Sequence, residues 1–438
     1  MANTSRPGTS TAAAGSAGSS DVSGGTPSAS SLIALDAINF FLAAALSGFG
    51  PYVASFLVDQ NWTPQNIGFV LTTAAVAGLL GQIPAGELLD TIRSKRLAVM
   101  LAATMIAGAA LVIGLWPSFP LVLTALMIQA IAGGFLGLAI ASVSLGLVGH
   151  AVLGERLGRN QRFASLGGVF AAGFMGLVSY FLSYRAIFLV ASALVLPLLI
   201  ALGRIKRSDI HFGSASGIPH HHGPGRPARA RRLSLSKNRG LLIFACAVFL
   251  FQMANASMLP LAAGALVHAK GAGSPLVISA LIVVPQAIVV LMAPWVGHRA
   301  KTWGRRPLLL AGFAALPVRA LVFAWASQPF ILIPAQILDG ISGAVLGVLT
   351  ALTVADVTAG SGRFNLAQGL VGTISGLGAS VSTMLFGQIV AAFGRAAAFM
   401  SIGAVGLTAL VLLWVLMPET SSLARKRLPE QFNHSEAR

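Results

Sequence analysis

The chain is organised around the stretch Gly86-Glu87-Leu88-Leu89-Asp90-Thr91-Ile92-Arg93-Ser94-Lys95-Arg96, which places charged residues between two long apolar runs. A second stretch, Gly297-His298-Arg299-Ala300-Lys301-Thr302-Trp303-Gly304-Arg305-Arg306-Pro307, begins 211 residues later in the same setting. Each follows an apolar run that contains proline, Pro84 in the first and Pro294 in the second. The chain is therefore predicted to consist of two copies of one unit.

The composition is that of a protein that crosses a membrane several times. Of its 438 residues, 55% are hydrophobic and only 9% are charged, whereas soluble domains carry about 25% charged residues. The single cysteine, Cys246, excludes a disulfide within the chain and leaves the compartment open.

Twelve apolar runs of about 20 residues are each long enough to cross a hydrocarbon core of roughly 30 Å. The fold class is therefore an all-α integral membrane protein with twelve transmembrane helices in two six-helix halves. The helices are predicted over 32–57, 66–89, 97–116, 120–149, 163–182, 185–203, 240–267, 275–297, 307–326, 330–355, 364–391 and 396–417.

The segments around these helices divide the chain into halves, a linker and two tails. The halves are 31–203 and 240–417, and residues 1–30 and 418–438 are predicted to be cytoplasmic tails, the first of them disordered. The linker 204–239 is rich in Arg, Pro, Gly and His and is interpreted as flexible and cytoplasmic. Metal binding by His220-His221-His222 and docking of its Arg run to anionic lipid are the alternatives.

The distribution of Lys and Arg predicts the orientation. With the N-terminus in the cytoplasm, Arg185, Lys270 and Arg395 fall outside, Arg319 falls within a span, and every other Lys and Arg falls inside. The orientation therefore explains the formal charge of +17 better than nucleic-acid binding does. Both termini are predicted to lie in the cytoplasm, and the protein in the plasma (inner) membrane.

The two halves repeat beyond the charged stretches. Phe40-Phe41 matches Phe249-Leu250, and Arg162-Phe163 matches Arg363-Phe364 after a shorter loop. At an offset of 210, Gln129, Gly133 and Gly137 match Asp339, Gly343 and Gly347. Both halves start inside, so they are parallel repeats about an axis along the membrane normal, and substrate is expected at the midplane between them.

These features resemble the major facilitator superfamily, and the resemblance extends over essentially all twelve spans. The family's loop after helix 2 reads roughly G-x-L-A-D-R-x-G-R-R. Gly86, Leu88, Asp90 and Lys95 fit this pattern, while Arg93 stands where the second glycine is usual. The second copy keeps Gly297, Gly304, Arg305, Arg306 and Pro307 but has Lys301 where Asp is expected.

The resemblance implies a role for these loops in closing the cytoplasmic side. Asp90 is expected at the N-terminus of helix 11, near residues 363–368, where a carboxylate interacts with the positive end of the helix dipole. The remaining predicted gating residues are Gly86, Arg93, Lys95, Gly297, Gly304, Arg305 and Arg306.

Asp339 and Asp36 are the candidates for proton coupling. Asp339 lies about nine residues into helix 10, roughly 14 Å deep at 1.5 Å per residue, and an ionisable group at that depth indicates function. A fixed ion pair with Arg319 of helix 9 is the alternative. Asp36 lies one turn before Asn39 at the start of helix 1, and a residue at the headgroups without a function is the alternative there.

Polar residues within the spans are the candidates for the substrate cavity. Gln252 and Asn255 lie one turn apart on helix 7, and their amides either bind a polar solute or hold helices together. By the repeat, Gln129 is expected to face Asp339 across the cavity. The predicted cavity residues are Asn39, Gln129, Gln252, Asn255 and Arg319.

The sequence therefore predicts a secondary active transporter that moves a small solute by alternating access, coupled to protons and directed outward. Proton-coupled uptake of a small polar metabolite is the alternative, and a non-transporting scaffold or sensor that uses the linker is the alternative from another class. No phosphate-binding Gly-Lys-Ser/Thr loop occurs, which argues against ATP. No cofactor, metal site or enzyme chemistry is expected, the partners are substrate, protons and lipid, and the protein is expected to act as a monomer.

Overall fold

The computed structural model describes residues 27–49, 51–92, 94–210, 238–262, 275–326 and 328–421, which form helices and short connections without any strand. Most of the predicted N-terminal tail and of the linker lies outside the described residues, as do Arg93 and His220-His221-His222. The first ten spans run over α1 Ala29–Asp59, α2 Pro64–Thr91, α3 Lys95–Leu115, α4 Phe119–Val148, α5 Leu153–Phe181, α6 Tyr184–Arg204, α7 Arg239–Ala262, α8 Pro275–Thr302, α9 Arg306–Trp325 and α10 Pro329–Thr358.

The last two spans follow each other without a connecting loop over the 53 residues Phe364–Leu416. A helix of that length would extend about 80 Å, far more than the roughly 30 Å of a hydrocarbon core. Gly394 interrupts it with φ 80° and ψ 174°, a conformation that glycine adopts without a steric penalty. The helix therefore divides into α11 (364–393) and α12 (395–416), and the eleven apolar helices of spanning length among the described residues make up the twelve predicted spans.

Local sequence signals set where several helices begin. The side-chain oxygens of Thr63, Ser94, Ser183 and Asn238 each accept a hydrogen bond from a backbone N–H of the first turn that follows, which satisfies a donor that the helix cannot. Proline occupies the first turn of α2, α4, α9 and α10, where its missing N–H costs nothing. These signals explain why the predicted and observed spans begin close to one another.

The start of α5 was predicted wrongly. The helix begins at Leu153, ten residues before the predicted start at 163, because its polar first turns are partnered by α1 and α4. Arg156 binds Asp36, and the side-chain amide of Asn160 donates to the hydroxyl of Ser144 at 2.7 Å. The predicted match of Arg162 with Arg363 is wrong for the same reason, since α5 and α11 begin 211 residues apart, at Leu153 and Phe364.

Two hydrophobic cores divide the bundle into halves. One core is built from α1–α6, and the other from α7–α12 with a few residues of α4 and α5. In the first half α1 packs on α5, and α2 and α3 pack on α4; in the second half α7 packs on the last long helix, and α8 and α9 pack on α10. The same helices thus meet in both halves, as expected for a parallel repeat.

The halves contact each other where α2 meets α11 and where α5 meets α8. A Cβ atom at Gly86 would overlap the backbone of Asn365, and one at Gly369 would overlap the carbonyl of Gln82. Across the other contact, a Cβ at Gly297 would overlap the carbonyl of Gly154, and one at Gly158 the carbonyl of Ala293. The two pairs of contacts are equivalent by the repeat, with an offset of 211 residues. Gly86 and Asn365 correspond to Gly297 and Gly154, and Gln82 and Gly369 correspond to Ala293 and Gly158. The boundary therefore follows the pseudo-two-fold axis.

Backbones also touch within each half, where Gly167 of α5 lies against the carbonyl of Phe40 of α1. The corresponding contact in the second half joins Gly378 of α11 to the carbonyl of Phe249 of α7. Backbone cannot move aside as the end of a long side chain can, so these crossings require glycine.

We expect Gly167→Ala to destabilise the protein by about 1–3 kcal/mol, because the added methyl group collides with the Phe40 carbonyl. Gly173→Ala on the same helix is the matched control, since a Cβ there meets open space, and alanine favours helix by up to about 1 kcal/mol. Thermal unfolding of the purified protein measures both. Equal melting temperatures for the two variants would contradict the crossing.

Candidate functional site

Charged side chains collect at one end of the bundle, which is called the basic end below. It is formed by residues 92 and 94 and by the connections 149–152, 303–305 and 359–363. Asp90, at the end of α2, reaches across the boundary between the halves to the first turn of α11. Its carboxylate accepts hydrogen bonds from the backbone N–H groups of Asn365 (3.1 Å) and Leu366 (2.9 Å) and from the Asn365 side chain (2.7 Å). The residue before α11, Arg363, makes no side-chain cap of its own. Asp90 therefore satisfies orphan donors of a helix in the other half.

At the equivalent place in the second copy, the charges are reversed. Lys301 lies 211 residues after Asp90, and its ammonium group is 2.9 Å from Glu155 in the first turn of α5. The imidazole of His298 is 3.2 Å from the same carboxylate. An ion pair between partly exposed side chains thus takes the place of a helix cap.

The rest of the second charged stretch binds within its own half. Arg305 contacts the Asp356 carboxylate of α10 at 2.8 Å, and the backbone N–H groups of Arg305 and Arg306 donate to Glu419, which follows α12. Although burial raises the pKa of Glu419, these hydrogen bonds hold it below its ordinary value. Gly304 has φ 85° and lies against the same carboxylate. The structure places these residues where they fasten α9, α10 and α12 together.

Lys95, from the first stretch, is 1% exposed and donates to the carbonyl of Leu89. It therefore ties the start of α3 to the end of α2, beside Asp90. Gly86 and Gly297 are the predicted gating glycines that lie at the boundary between the halves.

His150, in the connection between α4 and α5, has both ring nitrogens buried and without a hydrogen-bond partner among the described residues. Burial, and then the nearby charge of Arg305, lower the pKa of His150 from its ordinary 6.5 to about 4. The ring is therefore neutral at physiological pH.

Asp36 is held by α5. It pairs with Arg156, which is buried, and with Arg159 at 2.6 Å. Asn39, one turn later, donates to the carbonyl of Leu35 at 2.7 Å. The structure thus brings Asp36 to two guanidinium groups near the basic end, apart from the central cavity.

Asp339 forms an ion pair with Arg319. The Arg319 side chain is 3% exposed and the Asp339 side chain 25% exposed. Arg319 also donates to the side-chain oxygen of Asn255 at 2.5 Å and, at 3.5 Å, to that of Gln336. The guanidinium group therefore joins α7, α9 and α10.

A cavity of about 410 Å³ lies between the halves and takes its walls from α2, α4, α7, α10 and α11. Its lining residues are Gln82, Gly133, Gly134, Gly137, Leu138, Val248, Gln252, Leu346, Thr350, Gln368, Val371, Gly372 and Ser375. Gln252 is thus the predicted cavity residue that lines it. Gln129 lies next to the wall at Gly133, with its amide nitrogen 3.8 Å from where a Cβ would stand.

Several polar residues of these sites were missed by sequence reasoning. Gln82 and Gln368 line the cavity, while Arg156, Glu155 and Asp356 neutralise buried or boundary charges. The rule that selected Gln252, a polar residue within an apolar run, also selects Gln82. No local signal distinguishes Asp356 from a charge at a helix end.

The family model described as Major Facilitator Superfamily matches residues 35–272 and 241–436, on both halves of this fold. The chain belongs to the major facilitator superfamily. An uncharacterised MFS-type transporter of Mycobacterium tuberculosis is 37% identical over 389 residues, which cover 88% of this chain and 93% of that protein. The class B tetracycline resistance protein of Escherichia coli is 34% identical over 104 residues, 24% of each chain.

Solved structures of the superfamily share the fold. The FucP transporter in its outward conformation aligns with a TM-score of 0.69 at 17% identity, over 87% of this chain and 97% of its own. The proton:xylose symporter XylE aligns with a TM-score of 0.67 at 15% identity, over 90% and 98%. The chain is therefore a multi-pass integral membrane protein of a transporter family, with the twelve-helix fold.

We expect Asp90→Ala to open the basic end, because the first turn of α11 loses its cap from α2. Loss of a cap costs about 1–2 kcal/mol, which changes the ratio of closed to open molecules about tenfold. Glu87→Ala removes the same charge from an exposed position one turn earlier on α2. Spin labels at Val152 and Trp303, in a Cys246→Ser background, report the separation of the halves. Equal distance distributions for the two variants would argue against the cap as a latch.

The buried His150 predicts a loss of stability in acid. Its folded pKa of about 4 lies below the unfolded 6.5, so the unfolded chain binds more protons between these values and stability falls as the pH drops through them. In His150→Gln the melting temperature should therefore decrease less as the pH is lowered from 6.5 to 4.5, whatever the effect of the substitution at pH 7.5. An equal decrease of melting temperature in His150→Gln and in the unaltered protein would exclude His150 as the cause of the loss of stability in acid.

Proposed function

We propose that the protein is a secondary active transporter in which the two halves rock about the central cavity, and that proton binding at Asp339 drives the export of a small solute. The observation that carries the proposal is the cavity at the boundary between the halves, closed toward the basic end by two pseudo-symmetric contacts. Alternating access requires a central site of this kind, which is closed to one side of the membrane while it is open to the other.

The proposed orientation places the basic end in the cytoplasm, since loops rich in Lys and Arg remain on that side. Both termini then lie in the cytoplasm and the protein in the inner membrane, where it acts as a monomer. In this orientation the described conformation is closed to the cytoplasm. Opening separates α2 from α11 and α5 from α8, which breaks the Asp90 cap and the Lys301–Glu155 ion pair.

A chain of contacts connects Asp339 to the cavity. A proton on Asp339 removes its negative charge, and Arg319 then lacks the carboxylate that balances it. Arg319 also holds Asn255, which lies one turn beyond the cavity residue Gln252 on α7. Protonation at Asp339 therefore acts on the cavity wall through Arg319 and α7, and a shift of α7 changes how tightly solute is held.

Asp36 is the weaker candidate for the same role. Its side chain is 5% exposed and faces two guanidinium groups, whereas Asp339 is 25% exposed and faces one. Asp339 is therefore the carboxylate that protons from water reach more readily. We assign Asp36 to the packing of α1 on α5.

Export is proposed as the direction on the partial similarity to a tetracycline resistance protein, because a transporter confers resistance by removing a toxic compound from the cell. Uptake is the alternative, and the proton symporters that share the fold keep it open.

We expect Asp339→Asn to abolish protection in an efflux-deficient bacterial host, where the unaltered protein raises tolerance to part of a broad panel of toxic solutes. Asp59→Asn, an exposed carboxylate near the other end of α1, is the matched control and should keep protection. Membrane expression is measured for each variant. Protection that survives in Asp339→Asn would contradict proton coupling through this residue.

A second variant separates coupling from folding, because Asp339→Asn leaves Arg319 buried without its partner. Removing one member of a buried pair costs about 3–5 kcal/mol, and Asp339→Asn combined with Arg319→Gln avoids that cost. The double variant should recover expression and remain inactive. A double variant that protects the host would show that the ion pair is structural. Absence of protection by the well-expressed unaltered protein would contradict export and favour uptake.

A further inference from the structure

The described residues that line the central cavity present three carboxamides and two hydroxyl groups. Gln82 of α2, Gln252 of α7 and Gln368 of α11 supply the amides, and Thr350 and Ser375 the hydroxyls. Among the described residues that line the cavity there is no Asp, Glu, Lys, Arg or His. Each of these groups both donates and accepts hydrogen bonds.

The charges in the surrounding helices are balanced away from the cavity. Arg319 pairs with Asp339, Asp36 with Arg156 and Arg159, and Arg305 with Asp356. A charged solute in the cavity would therefore lack a countercharge from the described lining residues. Because an uncompensated charge is costly outside water, this cavity favours neutral solutes.

One residue that lines the cavity carries an acceptor without a partner among the described residues. The side-chain oxygen of Gln368 is buried and has no hydrogen-bond partner among the described residues. Leaving a buried acceptor unpaired is costly, and a hydroxyl or N–H group of a bound solute would satisfy it. Because Gln368 lines the cavity, this oxygen is a candidate ligand contact when the side chain turns toward a bound solute.

The side-chain amide of Gln82 lies between two glycines. A Cβ atom added at Gly372 of α11 or at Gly134 of α4 would lie within contact distance of the Gln82 side chain. Its carboxamide is therefore confined between two backbones, one from each half. An amide confined in this way orients a ligand at the boundary where the halves move.

The remaining walls are apolar. Leu138, Val248, Leu346 and Val371 lie beside the amides, so one solute meets both a polar and an apolar surface. We infer that the transported substrate is an uncharged small molecule with hydrogen-bond donors and acceptors and an apolar face, bound by Gln82, Gln252 and Gln368. This inference rests on the proposed function and adds the chemical class of the substrate.

Matched sets of probes test the inference by thermal unfolding of the purified full-length protein at pH 7. Each set contains a neutral compound with its anionic and cationic analogues: glucose, gluconate and glucosamine; and nicotinamide, nicotinate and picolylamine. We expect at least one neutral member at millimolar concentration to raise the melting temperature by roughly 3 °C, and its charged analogues not to do so. Stabilisation by a charged member alone, or by no neutral member, would overturn the inference.

Variants locate the binding site. Gln252→Leu and Gln368→Leu should abolish the shift, because each removes an amide and keeps an apolar side chain. Gln388→Leu makes the same change on α11 at an exposed position away from the cavity and should keep the shift. Equal shifts in melting temperature in all three variants would contradict binding of the probe in this cavity.

A charge introduced into the cavity wall should change which solute is preferred, and this tests the same electrostatic argument. Gln252→Glu adds a carboxylate, so the cationic member of the responsive set should become the preferred one, by about tenfold in affinity. An unchanged preference for the neutral member would overturn the electrostatic argument.

These outcomes are distinguishable from failure of the proposed function. Binding in the purified protein needs no proton gradient, so the shift produced by the neutral probe is measured in the unaltered protein whether or not it exports. If the unaltered protein binds the neutral probe and Asp339→Asn still exports, proton coupling through Asp339 fails while the substrate class stands. If a charged solute alone is bound and exported, the substrate class fails while transport stands.

Discussion

The structure depends on the direct contact of backbones across the boundary between the two halves. Gly86, Gly297, Gly158 and Gly369 occupy positions where a single methyl group would overlap the facing chain. Contact at that distance brings the N-terminus of α11 within reach of Asp90. It also leaves no room for a side chain to adjust, so the proposed opening has to separate the two backbones completely.

The two equivalent contacts are alike in geometry and different in chemistry. Asp90 satisfies backbone donors that have no alternative partner within α11, so separation leaves them to water. Lys301 and Glu155 are partly exposed, and water and salt replace such an ion pair at little cost. The α2–α11 contact is therefore expected to set the stability of the closed state, while the α5–α8 contact is held mainly by packing.

The ion pairs and the central cavity occupy separate parts of the bundle. The ion pairs of Asp36, Asp339 and Asp356 lie on helices around the cavity, and the lining residues themselves are neutral. Under the proposed mechanism the proton and the solute do not compete for one site, so coupling passes through movement of a helix. The contact of Arg319 with Asn255 makes α7 that helix.

The sequence by itself determined the twelve spans and the parallel repeat, because apolar length, Lys and Arg distribution and the repeated loop are written in consecutive residues. The approach of Asp90 to α11 was expected from the resemblance of its loop to that of the superfamily. The pairing of Asp339 with Arg319 followed as an alternative, since two opposite charges at similar depth attract. The tertiary structure alone decided that α5 begins at Leu153 and that Gln368, rather than Gln129, lines the cavity. In a span that is apolar on every side, the lipid sets the composition and no polar face marks the direction of a neighbour, so which polar residue meets the cavity depends on how the helices are rotated in the packed bundle.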